Sequence, residues 1–312
     1  MHVVCLGAGG IGGYFAGRLV EAGAANVTFL VRPGRKAQLE KDGLRVESVH
    51  GDFTVKVDAK LADELRSPAD YVLLTCKAYD LDSAIETIRP AVGPSTAIVP
   101  LLNGMSHLDR LNEVFGKERV LGGMAQIAIT LQPDGLVKHL NDWNTITFGE
   151  QDGAMTPRVE ALKAAFDKTD GKVNAVAVPD IIQKMWEKIV MLSTLASMTT
   201  LMRANIGEIA RTPDGAGLTL ALLEQNAKIA AAEGYPMPAA FMERFRGVLS
   251  DTASQMEASM LRDIERKGPV EADHIVGFML DKARAHGLDD MLHRICFTHL
   301  KAYEQRRAAG RL

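Results

Sequence analysis

Up to about residue 178 the chain alternates short apolar runs with helical patterns. Four runs are almost continuously hydrophobic, as expected for parallel strands that are covered on both faces. They are HVVCLGAG, NVTFLV, DYVLLTCK and TAIVPLLNG. Helical patterns at 11–23 and 80–90 lie between them, and this alternation predicts the βαβ units of a doubly wound sheet. Three later runs, RVLGGMAQIAITL, LVKHL and NTITFGE, are separated by turn signals and predict an antiparallel extension at one sheet edge.

After residue 179 helical periodicity dominates. Asp180 stands at the expected start of the first helix and Gln183 follows three residues later, which is a capping-box arrangement. The helical patterns are interrupted only by TPDGAG, GYPMP, KGP and HGL. We therefore predict an α/β protein with two domains: an N-terminal Rossmann-type doubly wound domain at 1–179 and an all-α domain at 180–312. A length of 312 residues is consistent with two domains.

The composition is that of a globular protein. Hydrophobic residues make up 47% and charged residues 24%, and the net charge of −3 indicates neither a general nucleic-acid binder nor a membrane-surface binder. The longest uncharged helical stretch, 189–202, has 14 residues, fewer than the roughly 20 that span a bilayer. Because it also contains five hydroxyl side chains, we predict a buried core helix. The first residues enter a strand at once and lack the features of a signal peptide.

The cysteines and histidines indicate no metal site. Cys5, Cys76 and Cys296 are far apart and form no CxxC pair, which also argues against a disulfide framework. The eight histidines show no ligand spacing. A reducing, cytoplasmic location is expected, with a small-molecule substrate and with no nucleic-acid or membrane partner; a homodimer is left open.

A glycine-rich motif follows the first predicted strand. Gly7, Ala8, Gly9, Gly10, Ile11 and Gly12 have the GxGxxG spacing. The first glycine permits a tight turn, the second lets the backbone approach a pyrophosphate, and the third lets the helix pack on the strand. The helix N-terminus then offers N–H groups to that pyrophosphate. We predict that this loop binds a dinucleotide.

The second predicted strand ends at Arg32, where a dinucleotide site that selects NAD carries a carboxylate. A guanidinium suits a phosphate instead, and Arg35 and Lys36 add positive charge nearby. The predicted cofactor is therefore NADP, with Arg32 contacting its 2′-phosphate. The alternative is a solvated basic loop.

Other polar residues stand where chemistry is expected. Lys77 and Asn103 follow the third and fourth apolar runs, at the strand ends where α/β sheets bind ligands, although a lysine there is often only solvated. Lys188 leads into the uncharged helical stretch, where it either meets an anion or polar ligand or extends to the surface. Glu271, followed by Asp273 and His274, either caps a helix or belongs to a site.

These residues resemble the ketopantoate reductase (2-dehydropantoate 2-reductase) family over essentially the whole chain. The matching segments are LGAGGIGG, Arg32, CKAYD, LNGM, WEKI, SMLRDI and VEADHIVGFMLDKARAHG, in that order and at similar spacing. The resemblance implies NADPH-dependent reduction of a 2-oxo acid in a cleft between a Rossmann domain and a helical domain. It implies ketopantoate as the first substrate to try and a role in pantothenate biosynthesis.

The resemblance also implies roles for individual residues. Lys188 matches the general acid that protonates the carbonyl oxygen and binds substrate. Glu271 matches a carboxylate near this lysine and the cofactor. Ser259 matches a substrate-binding serine. The cofactor contacts match Gly7 to Gly12, Arg32, Lys77, Asn103 and, more weakly, Ala128, and Asn103 also matches a substrate contact.

The chain departs from the family where asparagines contact substrate. Those positions are Leu192, Ala196, Ile206 and Met256, with Asn205 adjacent to the third. Positions 188, 192 and 196 share one helix face, so we expect them to line the same wall. Two alternatives therefore remain: the same chemistry on a less polar 2-oxo acid, and a non-catalytic NADP-binding sensor.

Overall fold

The computed structural model describes all 312 residues. They form two compact units, which are described separately. The first unit contains Met1–Leu102 and His107–Ile182, and the second contains Asn103–Ser106 and Gln183–Leu312. The second unit is thus discontinuous in sequence. The boundary at 179/180 stays a prediction.

All strands lie in the first unit. They are β1 (His2–Leu6), β2 (Asn26–Leu30), β3 (Leu44–Glu47), β4 (Phe53–Val55), β5 (Asp58–Lys60), β6 (Tyr71–Leu74), β7 (Ala97–Pro100), β8 (Leu121–Gln126), β9 (Ile129–Leu131), β10 (Val137–His139), β11 (Thr145–Glu150) and β12 (Asn174–Ala177). Five of them form a parallel sheet in the order β5-β2-β1-β6-β7. The four apolar runs supply β1, β2, β6 and β7, so the predicted parallel sheet is confirmed.

The later strands form two further sheets. β8 pairs antiparallel with β11, which pairs parallel with β12, and one bridge joins Ile98 of β7 to Val120 before β8. This antiparallel extension was predicted. The LVKHL run and the ITL end of the RVLGGMAQIAITL run were wrongly placed there. They become β10 and β9 of a separate sheet, whose order is β4-β3-β10-β9. The chain turns after β8, so that β9 pairs with β10 and β10 reaches β3. The alternation of a short strand does not encode such a distant partner.

The helices are α1 (Gly10–Glu21), α2 (Pro33–Asp42), α3 (Leu81–Ile88), α4 (Ser106–Phe115), α5 (Pro157–Asp167), α6 (Ile181–Met202), α7 (Ile206–Ala210), α8 (Gly215–Ala232), α9 (Ala239–Ser250), α10 (Ser259–Glu265), α11 (Phe278–Ala285) and α12 (Met291–Ala308). The second unit contains no strand, which confirms the all-α prediction. None of these helices is both long and apolar enough to span a bilayer.

Two glycines let α1 pack closely on the four-stranded sheet. A Cβ on Gly13 would come within 2.9 Å of Val137 Cγ2, and one on Gly17 within 2.8 Å of Leu44 Cδ2. Tyr14 and other residues of α1 are fully buried in the hydrophobic core of this unit. Tight packing of this kind leaves little freedom to the helix. It therefore fixes the position of the loop that enters α1.

The second half of α6 is buried although it is rich in hydroxyls. Thr194, Thr199 and Thr200 donate their hydroxyl protons to the backbone carbonyls four residues earlier, at 2.8, 2.7 and 2.6 Å. Hydroxyls satisfied within the helix can be buried at little cost. The prediction of a buried core helix over 189–202 is confirmed.

Candidate active site

The glycine loop between β1 and α1 has the shape of a phosphate cradle. Gly7 has φ +97°, a conformation that favours glycine. A Cβ on Gly12 would clash with the Gly7 carbonyl and lie 2.7 Å from Thr75 Oγ1. A Cβ on Gly9 would meet nothing within 4 Å, so the space in front of the Gly9 backbone is open. The positive φ of Gly7 and the close packing at Gly12 agree with the roles predicted from the sequence, and the open space at Gly9 would admit a pyrophosphate.

The first turn of α1 is suited to an anion. Gly9 is the extended N-cap residue and makes no side-chain cap, and no acidic residue lies in the first turn. The N–H groups at a helix start carry partial positive charge and lack intrahelical acceptors. Gly10, Ile11 and Gly12 form this turn, and Ala8 is buried just before it. These residues fit the pyrophosphate of a dinucleotide.

A pocket of about 660 Å³ opens beside this loop. This volume lies in the range of small-molecule sites, roughly 300–1,000 Å³. Of the predicted cofactor contacts, Gly7, Ala8, Gly9 and Arg32 line it. Arg35, Asp80 and Thr87 also line it, together with apolar side chains from β2, α3 and β9. The pocket therefore brings the glycine loop and the strand-end arginine to one site.

Lys77 and Ala128 are among the predicted cofactor contacts that are not part of this lining. Lys77 begins the turn that follows β6, and its carbonyl accepts from the Asp80 N–H at 2.9 Å. Ala128 lies between β8 and β9, where its N–H donates to Asn141 Oδ1 at 3.0 Å and its carbonyl accepts from the Leu140 N–H. Both backbone groups of Ala128 thus stabilise this corner of the fold.

Arg32 is the N-cap residue of α2, and its side chain is 84% exposed. Arg32 Nη2 lies 3.2 Å from Asp80 Oδ2, an ion pair that sequence reasoning missed. The carboxylate stands at the end of the quoted CKAYD segment, three residues after Lys77. Asp80 was therefore part of a segment that matched the family, but nothing in the sequence indicated that its partner would be Arg32.

A second cluster of predicted residues lies in the second unit. Lys188 Nζ of α6 donates to Asn103 Oδ1 at 3.2 Å. Asn103 Nδ2 donates to Glu271 Oε2 at 3.4 Å. Glu271 is buried and immediately precedes the helical turn that begins at Ala272. The structure thus unites three residues that are distant in sequence, and Glu271 belongs to this cluster rather than only capping a helix.

The surroundings of Lys188 change its acidity. Burial lowers the pKa of the Lys188 ammonium to about 8, while the negative charge of Glu271 acts in the opposite direction. A pKa near the working pH is favourable for general acid catalysis because the group is charged and still releases its proton readily. Lys184, one turn earlier, pairs instead with Glu187 on its own helix at 3.1 Å.

His274 holds the segment that carries Asn103. Ser106 Oγ lies 3.1 Å from His274 Nδ1, within hydrogen-bonding distance. Gly104, with φ +86°, packs so closely on the His274 carbonyl that a Cβ would clash with it. His274 lies in a π-helical turn, Asp273–Gly277, that follows Glu271. Turns of this kind are frequent at functional sites. The positions of Asn103 and Glu271 are thereby linked through His274.

Comparison with known proteins identifies the family. A sequence model of ketopantoate reductase PanE/ApbA matches residues 3–153, and a model of its C-terminal part matches residues 180–304. A curated relative from Bacillus subtilis, the uncharacterized oxidoreductase YkpB, is 34% identical over 97% of this chain and 99% of its own. The chain belongs to the ketopantoate reductase family. The prediction of an oxidoreductase is confirmed.

Solved structures agree with the fold of a ketopantoate reductase. The 2-dehydropantoate 2-reductase of Geobacter metallireducens is 27% identical, with a TM-score of 0.87 over 97% of this chain and 99% of that one. D-mandelate dehydrogenase, solved with NADH and anilino(oxo)acetate, is 20% identical, with a TM-score of 0.86 over 99% of each chain. At that identity the second likeness shows the fold alone.

The positions where the family's asparagines contact substrate are not all exposed in this chain. Leu192, one turn beyond Lys188, is partly exposed, whereas Ala196 has no exposed surface. The expectation that Ala196 lines an open wall is therefore wrong, because the helix enters the core at that turn. Ser193 and Ser197 are also fully buried. They present no hydroxyl in place of the family's asparagines.

The other positions expected to contact substrate differ in their burial. Ile206 is buried, and the adjacent Asn205 caps α7, with its side chain accepting from the Glu208 N–H at 2.9 Å. Asn205 therefore does not replace an asparagine at 206. Met256 is partly exposed. Ser259 is also partly exposed and is the first residue of α10.

Proposed function

We propose that this ketopantoate reductase family member reduces a 2-oxo acid to a 2-hydroxy acid with NADPH. The first substrate to test is 2-dehydropantoate, whose product is pantoate. The observation that carries the proposal is the cluster of Lys188, Asn103 and Glu271, in which burial brings the lysine pKa to about 8. On this proposal the reaction belongs to pantothenate biosynthesis in the cytoplasm. A homodimer stays a prediction.

The chemistry assigns each residue of the cluster a task. Negative charge develops on the carbonyl oxygen during reduction, so a positioned cation that releases a proton stabilises the transition state. Lys188 is that acid in our proposal. Glu271 keeps the lysine protonated against the effect of burial. Asn103 fixes the direction of the ammonium by accepting a hydrogen bond from it. The bound dinucleotide supplies the hydride.

The preference for NADPH rests on the pocket beside the glycine loop. Arg32 lines this pocket at the end of β2, at the position where a carboxylate favours the ribose hydroxyl of NAD. A guanidinium in that place favours a phosphate. D-mandelate dehydrogenase, which shares the fold, was solved with NADH. The fold is therefore compatible with NADH, and the preference of this chain for NADPH rests on Arg32.

A second candidate is the same reaction on a 2-oxo acid with an apolar side chain. Leu192 is favourable for such a substrate because it is partly exposed one turn from Lys188 and has no hydrogen-bonding group. The nearby serines are buried and Asn205 is engaged in capping, so neither compensates. A polar substrate group that is left without a partner costs about 1–3 kcal/mol.

The test is a panel of 2-oxo acids with the purified protein. The acids range from 2-dehydropantoate to unbranched, branched and aromatic side chains, each assayed with NADPH and with NADH by nicotinamide absorbance. We expect turnover with NADPH, and the best acid decides between the two candidates. Lys188→Ala protein prepared in parallel controls for contaminating reductases. Absence of turnover with every acid, despite NADPH binding, would refute the proposed reaction.

A further inference from the structure

Arg32 is already engaged by a carboxylate in the pocket where a 2′-phosphate would bind. Its Nη2 lies 3.2 Å from Asp80 Oδ2, and both residues line the pocket beside the glycine loop. The Asp80 side chain is 41% exposed and that of Arg32 is 84% exposed. Both side chains are therefore accessible to a ligand that enters from solvent.

The two other basic residues of this segment have their own partners. Arg35 Nε donates to the Ala8 carbonyl at 3.0 Å, and its Nη1 donates to the Gly135 carbonyl at 2.9 Å. Arg35 thus holds the glycine loop against a turn. Lys36 Nζ contacts both carboxylate oxygens of Glu64, at 2.7 and 2.6 Å. Of these three residues, only Arg32 has as its partner a carboxylate that also lines the pocket.

The Asp80 carboxylate has no visible structural task other than this pair. Asp80 occupies the N-cap position of α3, but its side chain makes no capping hydrogen bond. Its backbone N–H donates to the Lys77 carbonyl, a bond that any residue other than proline preserves. A change from carboxylate to amide at this position therefore alters the charge while the local backbone bonds remain.

We propose that Asp80 sets the strength of cofactor discrimination by competing with the 2′-phosphate for Arg32. A phosphate must displace the carboxylate and then lies close to its negative charge. An uncharged ribose hydroxyl meets neither obstacle and is itself a donor to a carboxylate. Asp80 thus weakens the preference for a 2′-phosphate that Arg32 creates. This inference rests on the proposed dinucleotide function of the pocket.

The test uses fragments that carry only the adenosine half of the cofactor. Binding of adenosine 2′,5′-bisphosphate and of 5′-AMP is measured by calorimetry for wild type and Asp80→Asn. Exposed ion pairs contribute up to about 1 kcal/mol, so we expect the variant to bind the bisphosphate roughly two- to fivefold more tightly. Affinity for 5′-AMP should stay within about twofold. Unchanged or weaker bisphosphate binding in Asp80→Asn would overturn the proposal.

Two further variants separate competition from general repulsion. In an Arg32→Ala background, Asp80→Asn should give a clearly smaller gain, because no guanidinium remains to compete for. An equal gain in both backgrounds would contradict a role through Arg32. Asp82→Asn is the matched control, since Asp82 is exposed and pairs with Arg110 at 3.1 Å. It should leave the bisphosphate affinity unchanged.

The outcomes also separate this inference from the proposed function. Arg32-dependent and Asp80-dependent fragment binding without turnover of any 2-oxo acid would support the inference and refute the reaction. Turnover with NADPH, combined with no effect of Asp80→Asn on fragment binding, would support the proposed reaction and refute the inference. Failure of wild type to bind either fragment would refute the assignment of the pocket, and the inference with it.

Discussion

Lys188 donates a hydrogen bond from Nζ to Asn103 Oδ1 over 3.2 Å. The amide of the same asparagine donates to Glu271 over 3.4 Å, so its oxygen faces the cation and its nitrogen faces the anion. A side-chain amide offers both an acceptor and a donor, whereas a carboxylate offers only acceptors. Asn103 is therefore suited to join an acid and its stabilising carboxylate without adding a charge.

Replacement of Lys188 by alanine should reduce kcat by roughly 10²- to 10⁴-fold, the usual range for the loss of a general acid. Affinity for NADPH, measured by fluorescence titration, should change little, because in our proposal the lysine acts on the substrate carbonyl. Lys184→Ala is the control, since Lys184 lies one turn away and pairs with Glu187. Near-normal turnover of Lys188→Ala would mean that another residue supplies the proton.

The rate of reduction should fall at alkaline pH. Burial lowers the Lys188 pKa to about 8, and only the protonated form is an acid, so kcat/KM should decrease as pH rises through that value. Glu271 raises the same pKa. Glu271→Gln should consequently move the alkaline limb to lower pH. Glu187→Gln on α6 should leave the limb in place; an unshifted profile in Glu271→Gln would contradict this electrostatic role.

Replacement of Arg32 by aspartate should change the cofactor preference. Loss of a charge-assisted contact with phosphate is worth about 1.5–3 kcal/mol, or about ten- to a hundredfold in NADPH affinity. NADH, which lacks the phosphate, should be affected far less. Binding titrations with both nucleotides measure the ratio, and Arg110→Asp controls for the change in net charge. The prediction fails if wild type already binds NADH as tightly as NADPH.

Leu192 should control the polarity of the preferred substrate. We expect kcat/KM for 2-dehydropantoate to lie below that for some acid with an apolar side chain, by roughly five- to 150-fold for each unpaired polar group. Leu192→Asn should narrow this gap. Met191→Asn is the matched control, because it adds the same amide about 100° away on the helix. A broad panel in which 2-dehydropantoate is the best substrate of the wild type would exclude this idea.

The helical unit should lose stability in mild acid. His293 is fully buried, its Nε2 lies 2.8 Å from Asn226 Oδ1, and burial lowers its pKa to about 4. The unfolded chain therefore binds the proton first, so stability is complete above about pH 6.5 and declines as pH falls toward 4. The loss reaches at most about 3 kcal/mol. Chemical denaturation at several pH values measures it.

The matched control for this prediction is an exposed histidine of the same unit. His286 is solvent-exposed, and its Nε2 lies 2.7 Å from Glu233. His293→Gln should lower stability at neutral pH and reduce its decline between pH 6.5 and 4, whereas His286→Gln should leave most of that decline in place. An undiminished acid loss in His293→Gln would assign the effect to other buried groups.

The features that the sequence predicted well depend on short stretches of chain. The turn, open approach and helix start of the glycine loop are encoded within Gly7 to Gly12, so spacing alone indicated their geometry. The position of Arg32 was equally easy to predict, because it follows directly from the end of one strand. Local steric and hydrogen-bonding rules are sufficient for such motifs.

The features that were missed depend on pairs that only the folded chain brings together. The pairing of Asp80 with Arg32 joins positions 48 residues apart, and that of Ser106 with His274 joins positions 168 apart. The local sequence around each of these residues gives no indication of its distant partner. The wrong expectation for Ala196 has a related cause, since helical periodicity gives the face of a residue but not the depth at which the helix enters the core.

The discontinuity of the helical unit has a consequence for protein engineering. A chimaera made by joining two relatives near residue 180 would inherit helices from one parent and the Asn103–Ser106 segment from the other. The amide beside Lys188 and the hydroxyl beside His274 would then be foreign to the helices that they contact. The exchangeable module is therefore residues 183–312 together with these four residues, transplanted as one set.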